Sequence, residues 1–257
     1  MMSERNKERA VVSVITVCYN AAADLEKTMK SVREQTYRAV EYVIVDGGSS
    51  DGTRELIERN GDIVSRWVSE RDEGLYFAMN KGLDMAGGEY VLFMNAGDLF
   101  YEAETLEKMM ASADELQDIY YGDTMILSLD GVPLGRRRLS LPKRLTRRSF
   151  HWGMTVCHQS FLVRRELCSH YDTSYSITAD YDWVLSAIER ADEKKIKNTG
   201  LFVSCFSQGG ISSKHVWEAN CQRFKIMRKH YGLPVTIWFN CLMVFRLAYT
   251  YCKFGRM

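Results

Sequence analysis

Apolar positions in the first part of the chain come in short blocks separated by amphipathic stretches. Residues 10–19 are rich in Val, Ile and Thr and predict a buried strand. Over 22–35, Leu25, Met29 and Val32 recur at helical spacing, with Asn20 placed to cap that helix. Residues 41–45 predict a second strand, 46–52 a turn, 53–59 a helix and 63–68 a third strand. Residues 71–74 read as a loop, 75–86 as a helix stopped by Gly87-Gly88, and 90–94 as a fourth strand. Strands alternating with helices at this spacing predict parallel βαβ units and an α/β fold.

Three of these strands end alike. One runs into Asn20, one into Asp46-Gly47-Gly48-Ser49, and one into Asn95-Ala96-Gly97-Asp98. Small polar turns carrying an acid then lie at the carboxyl edge of the sheet, where open α/β sheets hold ligands. The first half of the chain thus predicts a pocket built from three strand ends.

Beyond Asp98 the rhythm changes. Residues 104–113 predict a helix, 119–122 and 125–129 strands, and Asp130-Gly131 a hairpin turn. Residues 158–163 predict a strand, 179–190 a helix opened by Asp180 and Asp182, and 198–206 another strand. A loop over 207–214 precedes two closing helices, 216–231 and 234–253. The expected layout is one domain over 1–214, with a nucleotide half at about 10–100 and an acceptor half at 101–214. A helical segment over 215–257 follows.

Composition narrows the classes. With 257 residues, 46% of them hydrophobic, the chain suits one core. A net charge of +1 creates no global field for nucleic acid. The seven cysteines are odd in number and show no CxxC, which points to reduced thiols rather than disulfides or a zinc site. The charged opening 1–9 predicts no signal peptide, and no run of 18 uncharged apolar residues predicts a membrane span. The expectation is cytoplasmic.

The motifs resemble those of the family 2 glycosyltransferases. The match is carried by Val14–Asn20 and by Val43–Thr53 with its Asp46-Gly47-Gly48-Ser49 turn. Asp72-Glu73-Gly74-Leu75-Tyr76, Ala78-Met79-Asn80-Lys81-Gly82 and Asn95–Asp98 strengthen it. So do His158-Gln159-Ser160, Ala179-Asp180-Tyr181-Asp182 and Gly209-Gly210-Ile211-Ser212. The resemblance implies the glycosyltransferase A fold: a single Rossmann-like domain with a mostly parallel central sheet, here followed by C-terminal helices. It also implies an inverting, metal-assisted transfer from a nucleotide-diphosphate sugar, a UDP-sugar, to a hydroxyl of a glycan or lipid-linked acceptor in polysaccharide biosynthesis.

By the same resemblance, Thr16, Tyr19, Asn20, Asp46, Gly47, Asp72, Lys81, Asn95, Ala96 and Gly97 line the nucleotide. Asp98 binds a divalent cation, Mg²⁺ or Mn²⁺. Asp180 is the general base, and His158 and Asp182 lie on the acceptor side. The chain keeps one acid, Asp98, where the family often has acids at the positions of Asn95 and Gly97 as well. One strand-end acid suffices for a hard cation that completes its shell with phosphates and waters.

Several readings stay open on sequence alone. Asp46 also suits a plain tight turn, and Asp98 a helix cap. Asp180 and Asp182 both suit caps of the helix they open, and His158 suits a structural hydrogen bond. The run 136–148 holds Arg136, Arg137, Arg138, Lys143, Arg144, Arg147 and Arg148 and no acid. It suits a solvated face, a phosphate-bearing acceptor or an anionic membrane surface. The aromatic and apolar C-terminal segment suits an interfacial helix on the inner face of the cell membrane, or packing against its own domain or a second subunit. A non-catalytic sugar-nucleotide or glycan-binding protein of the same fold is the rival class. A sugar nucleotidyltransferase fits less well, because no Gly-rich basic loop follows the first strand.

Overall fold

The computed structural model describes residues 10–207 and 215–254, with side chains described up to residue 245. The predicted loop beyond Ser207 and the Gly209–Ser212 motif lie outside the described residues.

Nine strands form one sheet among the described residues. They are β1 (Val12–Cys18), β2 (Val40–Asp46), β3 (Arg66–Ser69), β4 (Tyr90–Phe93), β5 (Leu99–Phe100), β6 (Ile119–Leu127), β7 (Pro133–Arg136), β8 (Phe161–Arg164) and β9 (Ile196–Ser207). Their order is β3-β2-β1-β4-β8-β6-β9-β5, with β7 paired to β6. The first four strands are mutually parallel, β6 and β9 share their direction, and β5, β7 and β8 run the other way. The order reverses between β1 and β4, which opens a crevice beyond the carboxyl ends of these strands.

Seven α-helices are described: α1 (Ala22–Arg33), α2 (Thr53–Arg59), α3 (Leu75–Met85), α4 (Thr105–Ala111), α5 (Ala179–Arg190), α6 (Val216–Tyr231) and α7 (Leu233–Phe254). Strand alternation divides the core into two layers. Val14 and Ile44 face one side, where Leu25 and Met29 of α1, Ile57 of α2 and Leu106 of α4 cover them. Ile15, Val43 and Phe93 face the other, under Met79 and Leu83 of α3 and Trp183 of α5. Ile226 and Met227 of α6 join that second layer.

Local chemistry moved several predicted boundaries. Asn20 does not cap α1. It adopts φ 47°, and its Oδ1 accepts the Ser50 N–H at 2.9 Å. The start of α1 is capped from the next loop instead: Thr53 Oγ1 accepts from Ala21 N, and Asp51 Oδ2 from Ala22 N, both at 3.1 Å. The two strands expected over 119–129 are one, β6, whose register shifts at 121–124. Gly122 permits this, because a Cβ there would lie 2.6 Å from the Leu201 carbonyl oxygen. The third strand begins at Arg66, not 63. The strand expected from residue 158 begins at Phe161, after a 3-10 turn over His158–Ser160.

Candidate active site

An open cleft of about 1650 Å³ lies along the carboxyl edge of β1 and β4. Tyr19, Gly47, Asp72, Asn95, Ala96, Gly97, Asp98, His158 and Asp180 all line it. The chain therefore brings together residues separated by more than half its length.

The first wall comes from the strand ends. The Tyr19 side chain, 66% exposed, lies against the flat turn after β2: a Cβ on Gly47 would meet its ring at 3.3 Å. Gly48 takes φ 79°, open to a residue without a side chain. Asp46, expected among the residues lining the nucleotide, is fully buried beneath this turn. Its carboxylate accepts from Ser49 N at 3.0 Å and Ser69 Oγ at 2.6 Å, and also from Ser49 Oγ. Thr16 does not reach the cleft. Strand alternation points it into the α1 layer with Val14 and Cys18, and its hydroxyl donates to the Met94 carbonyl at 2.6 Å. Asn20 holds the loop rather than lining the cleft. Lys81 lies behind the wall, bound to Asp72 Oδ1 at 2.7 Å and Glu70 at 2.6 Å. Asp72 itself lines the cleft, and its Oδ2 has no hydrogen-bond partner among the described residues.

Asp98 sits at the cleft floor. Its Oδ2 accepts from Asn95 N and from Gln159 Nε2, each at 3.1 Å. Burial pushes its carboxyl up to about 6, against the opposing pull of His158 and these hydrogen bonds. Gly97, with φ 97°, closes the turn, and its N–H donates to Thr28 Oγ1 at 2.9 Å.

The second wall comes from the 3-10 turn and α5. Ser160 anchors that turn. Its Oγ donates to the Asp123 carbonyl at 3.0 Å and lies 2.7 Å from both Thr124 Oγ1 and Ser204 Oγ. His158 is thereby fixed between Asn95 Nδ2, 3.4 Å from Nε2, and Asp180 Oδ2, 3.5 Å from Nδ1. Asp180 lies in the first turn of α5, where the helix dipole favours a carboxylate. The Tyr76 hydroxyl donates to the Ile177 carbonyl at 2.8 Å and stands 3.4 Å from Asp180 Oδ1. Burial, then the Asp180 charge, raises the Tyr76 and Tyr171 phenols well above their usual range, so both keep their protons. Behind them Tyr171 stacks between Tyr76 and Trp183, at 5.4 and 5.1 Å, and Phe93 meets His158 edge-on. This packing holds the polar groups in place.

Asp182, the other acid of that turn, does not share the cleft. Two residues further round α5 it is buried on the far side, bonded to His230 Nε2 at 2.8 Å and Lys229 Nζ at 2.9 Å. It belongs to a separate cavity of about 530 Å³. Sequence reasoning gave no separate role to Gln159 and Tyr76, which grip Asp98 and Asp180. Both stand inside quoted motifs, but only the fold shows which acid each one meets.

A mostly parallel α/β sheet with two acids across a switch-point cleft defines a glycosyltransferase A-type architecture. The family model for glycosyl transferase family 2 matches residues 13–172, and the chain belongs to that family. It is 34% identical over 179 residues to a PGL/p-HBAD biosynthesis glycosyltransferase of Mycobacterium bovis, covering 66% of this chain and 67% of that one. The fold is similar to that of Staphylococcus aureus TarS, with a TM-score of 0.66 and 19% identity. That likeness covers 85% of this chain and only 38% of TarS. Residues 1–349 of TarS have been solved with UDP-GlcNAc. Glucosyl-3-phosphoglycerate synthase of Mycobacterium tuberculosis, solved with Mn²⁺ and UDP, gives a TM-score of 0.60 at 16% identity, over 89% of this chain and 82% of that one.

Proposed function

We propose that the chain is an inverting transferase that moves a sugar from a nucleotide-diphosphate donor, a UDP-sugar, to a hydroxyl of a glycan or lipid-linked acceptor. The observation that carries this reading is that Asp98 and Asp180 face one cleft and are bridged by Asn95 and His158. The ligands of the TarS and phosphoglycerate-synthase structures support the donor class.

The nucleotide half supplies the donor contacts. Tyr19 above the Gly47 turn offers the base a stacking surface. Asp72 Oδ2, without a partner, can accept an N–H or O–H of the nucleoside. Ala96 and Gly97 let the diphosphate approach the backbone closely.

The residues at Asp98 fit a divalent cation, Mg²⁺ or Mn²⁺. Both hydrogen bonds to its carboxylate fall on Oδ2, and the neighbouring Asn95 Oδ1 is buried without a partner. Among the described residues no group of three or more His, Cys, Asp or Glu could hold a metal alone. That matches an ion that draws most of its ligands from the donor diphosphate and water. When bound, such an ion neutralises charge developing on the leaving diphosphate.

Asp180 takes the proton of the acceptor hydroxyl as that oxygen attacks C1 from the face opposite the diphosphate. The Tyr181 N–H donates to its Oδ1 at 2.9 Å, and Tyr76 and His158 stand beside its two oxygens at 3.4 and 3.5 Å. A single displacement inverts the anomeric centre and needs no protein nucleophile.

A thermal-shift screen of UDP, GDP, CMP and dTDP, with and without Mn²⁺, tests the reading. UDP should raise the midpoint, more so with Mn²⁺, and Asp98→Ala should abolish the Mn²⁺ increment. No shift from any nucleotide in well-folded protein would sink it and favour a non-catalytic role.

The outward stripe of α7 supports attachment to an anionic membrane face. Leu233, Ile237, Trp238, Val244 and Phe245 are 45–72% exposed along it. Among the described residues no helix is long and apolar enough to cross a membrane. The full chain should sediment with anionic but not neutral vesicles at low salt; failure to sediment with either rejects the attachment.

A further inference from the structure

The basic run 136–148 does not act as one patch. Arg136 pairs with Asp123, Arg144 with Glu193 and Arg147 with Glu189. Arg137 lines the cleft, and its buried Nη1 has no hydrogen-bond partner among the described residues. Arg223 of α6 enters the same cleft, and among the described residues its Nη2 bonds only to the Met243 thioether, at 3.4 Å. Among the described residues neither arginine makes an ion pair. Other sheltered basic groups do: Lys229 with Asp182, Arg164 with Asp118, Lys81 with Asp72.

A guanidinium withdrawn from water without an anion carries an uncompensated desolvation cost. Burial lowers the Arg223 pKa, yet the group stays charged. Both residues are only partly buried, but two sheltered cations without an ion pair in one cleft fit a ligand that supplies the missing charge.

Their position selects which ligand. Arg137 lies close enough to Cys157 to oppose the rise of its thiol pKa, and Cys157 adjoins His158. Arg223 acts in the same way on Tyr181, which adjoins Asp180. Both arginines line the same cleft as the His158–Asp180 pair and, like that pair, come from the part of the chain after residue 100. The donor wall, from Tyr19 to Asp98, is built by different elements. Guanidinium forks match phosphate oxygens in pairs, and two of them suit a dianion.

We infer that Arg137 and Arg223 form an anion subsite on the acceptor side of the cleft, which takes the phosphate ester or diphosphate group of the acceptor. This rests on the transferase reading of the same cleft. The acceptor is thus a phosphorylated molecule that also carries a free hydroxyl, either a soluble phosphate ester or a sugar borne on a prenyl diphosphate carrier. The anion fixes the acceptor so that one hydroxyl meets Asp180.

The test is calorimetry on the full chain saturated with UDP and Mn²⁺, so that the donor diphosphate position is filled. It is repeated on nucleotide-free protein. The titrants are sn-glycerol 3-phosphate, glycerol and farnesyl diphosphate. Glycerol 3-phosphate should bind and glycerol should not, and the affinity should fall as NaCl rises. Arg137→Gln and Arg223→Gln should each weaken it at least tenfold while leaving UDP affinity within twofold. Tighter binding of farnesyl diphosphate would assign the anion to a lipid carrier; preference for glycerol 3-phosphate would assign it to a soluble ester. The subsite is overturned if neither phosphate binds at millimolar concentration. It is also overturned if the two variants lose UDP affinity instead, since the arginines would then serve the donor. Loss of nucleotide binding alone, with arginine-dependent phosphate binding intact, would count against the transferase reading and not the subsite.

Discussion

His158 Nδ1 lies 3.5 Å from Asp180 Oδ2, while its Nε2 faces Asn95 at 3.4 Å. Both separations are long for hydrogen bonds. Such contacts tighten in a reactive complex. The imidazole therefore links the carboxyl edge of β4 to the start of α5, the two walls of the cleft.

Asp180→Asn keeps the size and the helix position but cannot take a proton. Sugar transfer should fall by roughly 10²–10⁴, the usual worth of a positioned base. UDP affinity should stay within about twofold, because the residue stands apart from the donor wall. Radiolabelled transfer and calorimetry on the same variant check both halves. A variant with undiminished transfer removes Asp180 from the mechanism.

Asp98 carries a carboxyl raised to about 6 by burial. Above that pH the ligand-free protein holds a desolvated charge. A carboxyl raised in the folded state supports folding below its unfolded value and loses that support as pH rises through about 6. Asp98→Asn should therefore stabilise the ligand-free protein at pH 8, by about 1–3 kcal/mol. It should also remove the response to Mn²⁺. Urea unfolding with and without the ion reads both, and an unchanged Mn²⁺ response would dismiss the cation site.

Tyr19 is exposed and packs little, so Tyr19→Ala should leave the melting midpoint almost unchanged. Loss of a stacking surface costs about 1–3 kcal/mol per base, so UDP affinity should drop by roughly 5- to 150-fold. Equal affinity in the variant would move the base elsewhere in the cleft.

His230 is held between Asp182 and Glu189 on the far side of α5. Burial alone would lower its pKa, but the bonds to the two acids outweigh it and raise it. Its contribution to stability is complete below about 6.5, the unfolded value, and is lost as pH rises through the folded one. Asp182 is shifted down, so its contribution is present above the unfolded aspartate value and is lost in acid. Stability from this cluster should peak in mildly acidic buffer. Unfolding midpoints at pH 6 and pH 8.5 should differ in the wild type and converge in His230→Gln. Equal slopes in both proteins would rule the cluster out as the source.

Gly82 in α3 faces β1, and a Cβ there would stand 2.5 Å from Ile15 Cγ2. Overpacking of this kind costs about 1–3 kcal/mol. Gly82→Ala should lower the unfolding midpoint even though alanine favours helices. A higher midpoint would mean that the sheet yields to the methyl.

The chain's pattern determined the alternation of strands and helices, because buried parallel strands and amphipathic helices have different periods. It also set the three polar strand ends, since a chain leaving a buried strand needs small turn residues there. The cleft between those ends was thus legible, and with it Gly47 and the Asn95–Asp98 turn; the family resemblance, not the pattern, pointed to Tyr19 and Asp72. What each acid does with its oxygens was not legible. Asp46 and Asp98 close similar turns, yet Ser49 and Ser69 cover the first while the second lines the cleft. Asp180 and Asp182 stand two residues apart, and about 200° of helical rotation sends one to the cleft and the other to His230. Arg137 was one cation among seven until the fold brought it into the same cleft as Arg223. Local pattern encodes burial and turn geometry. Partnership between side chains distant in sequence is decided only when the sheet closes and the helices choose their faces.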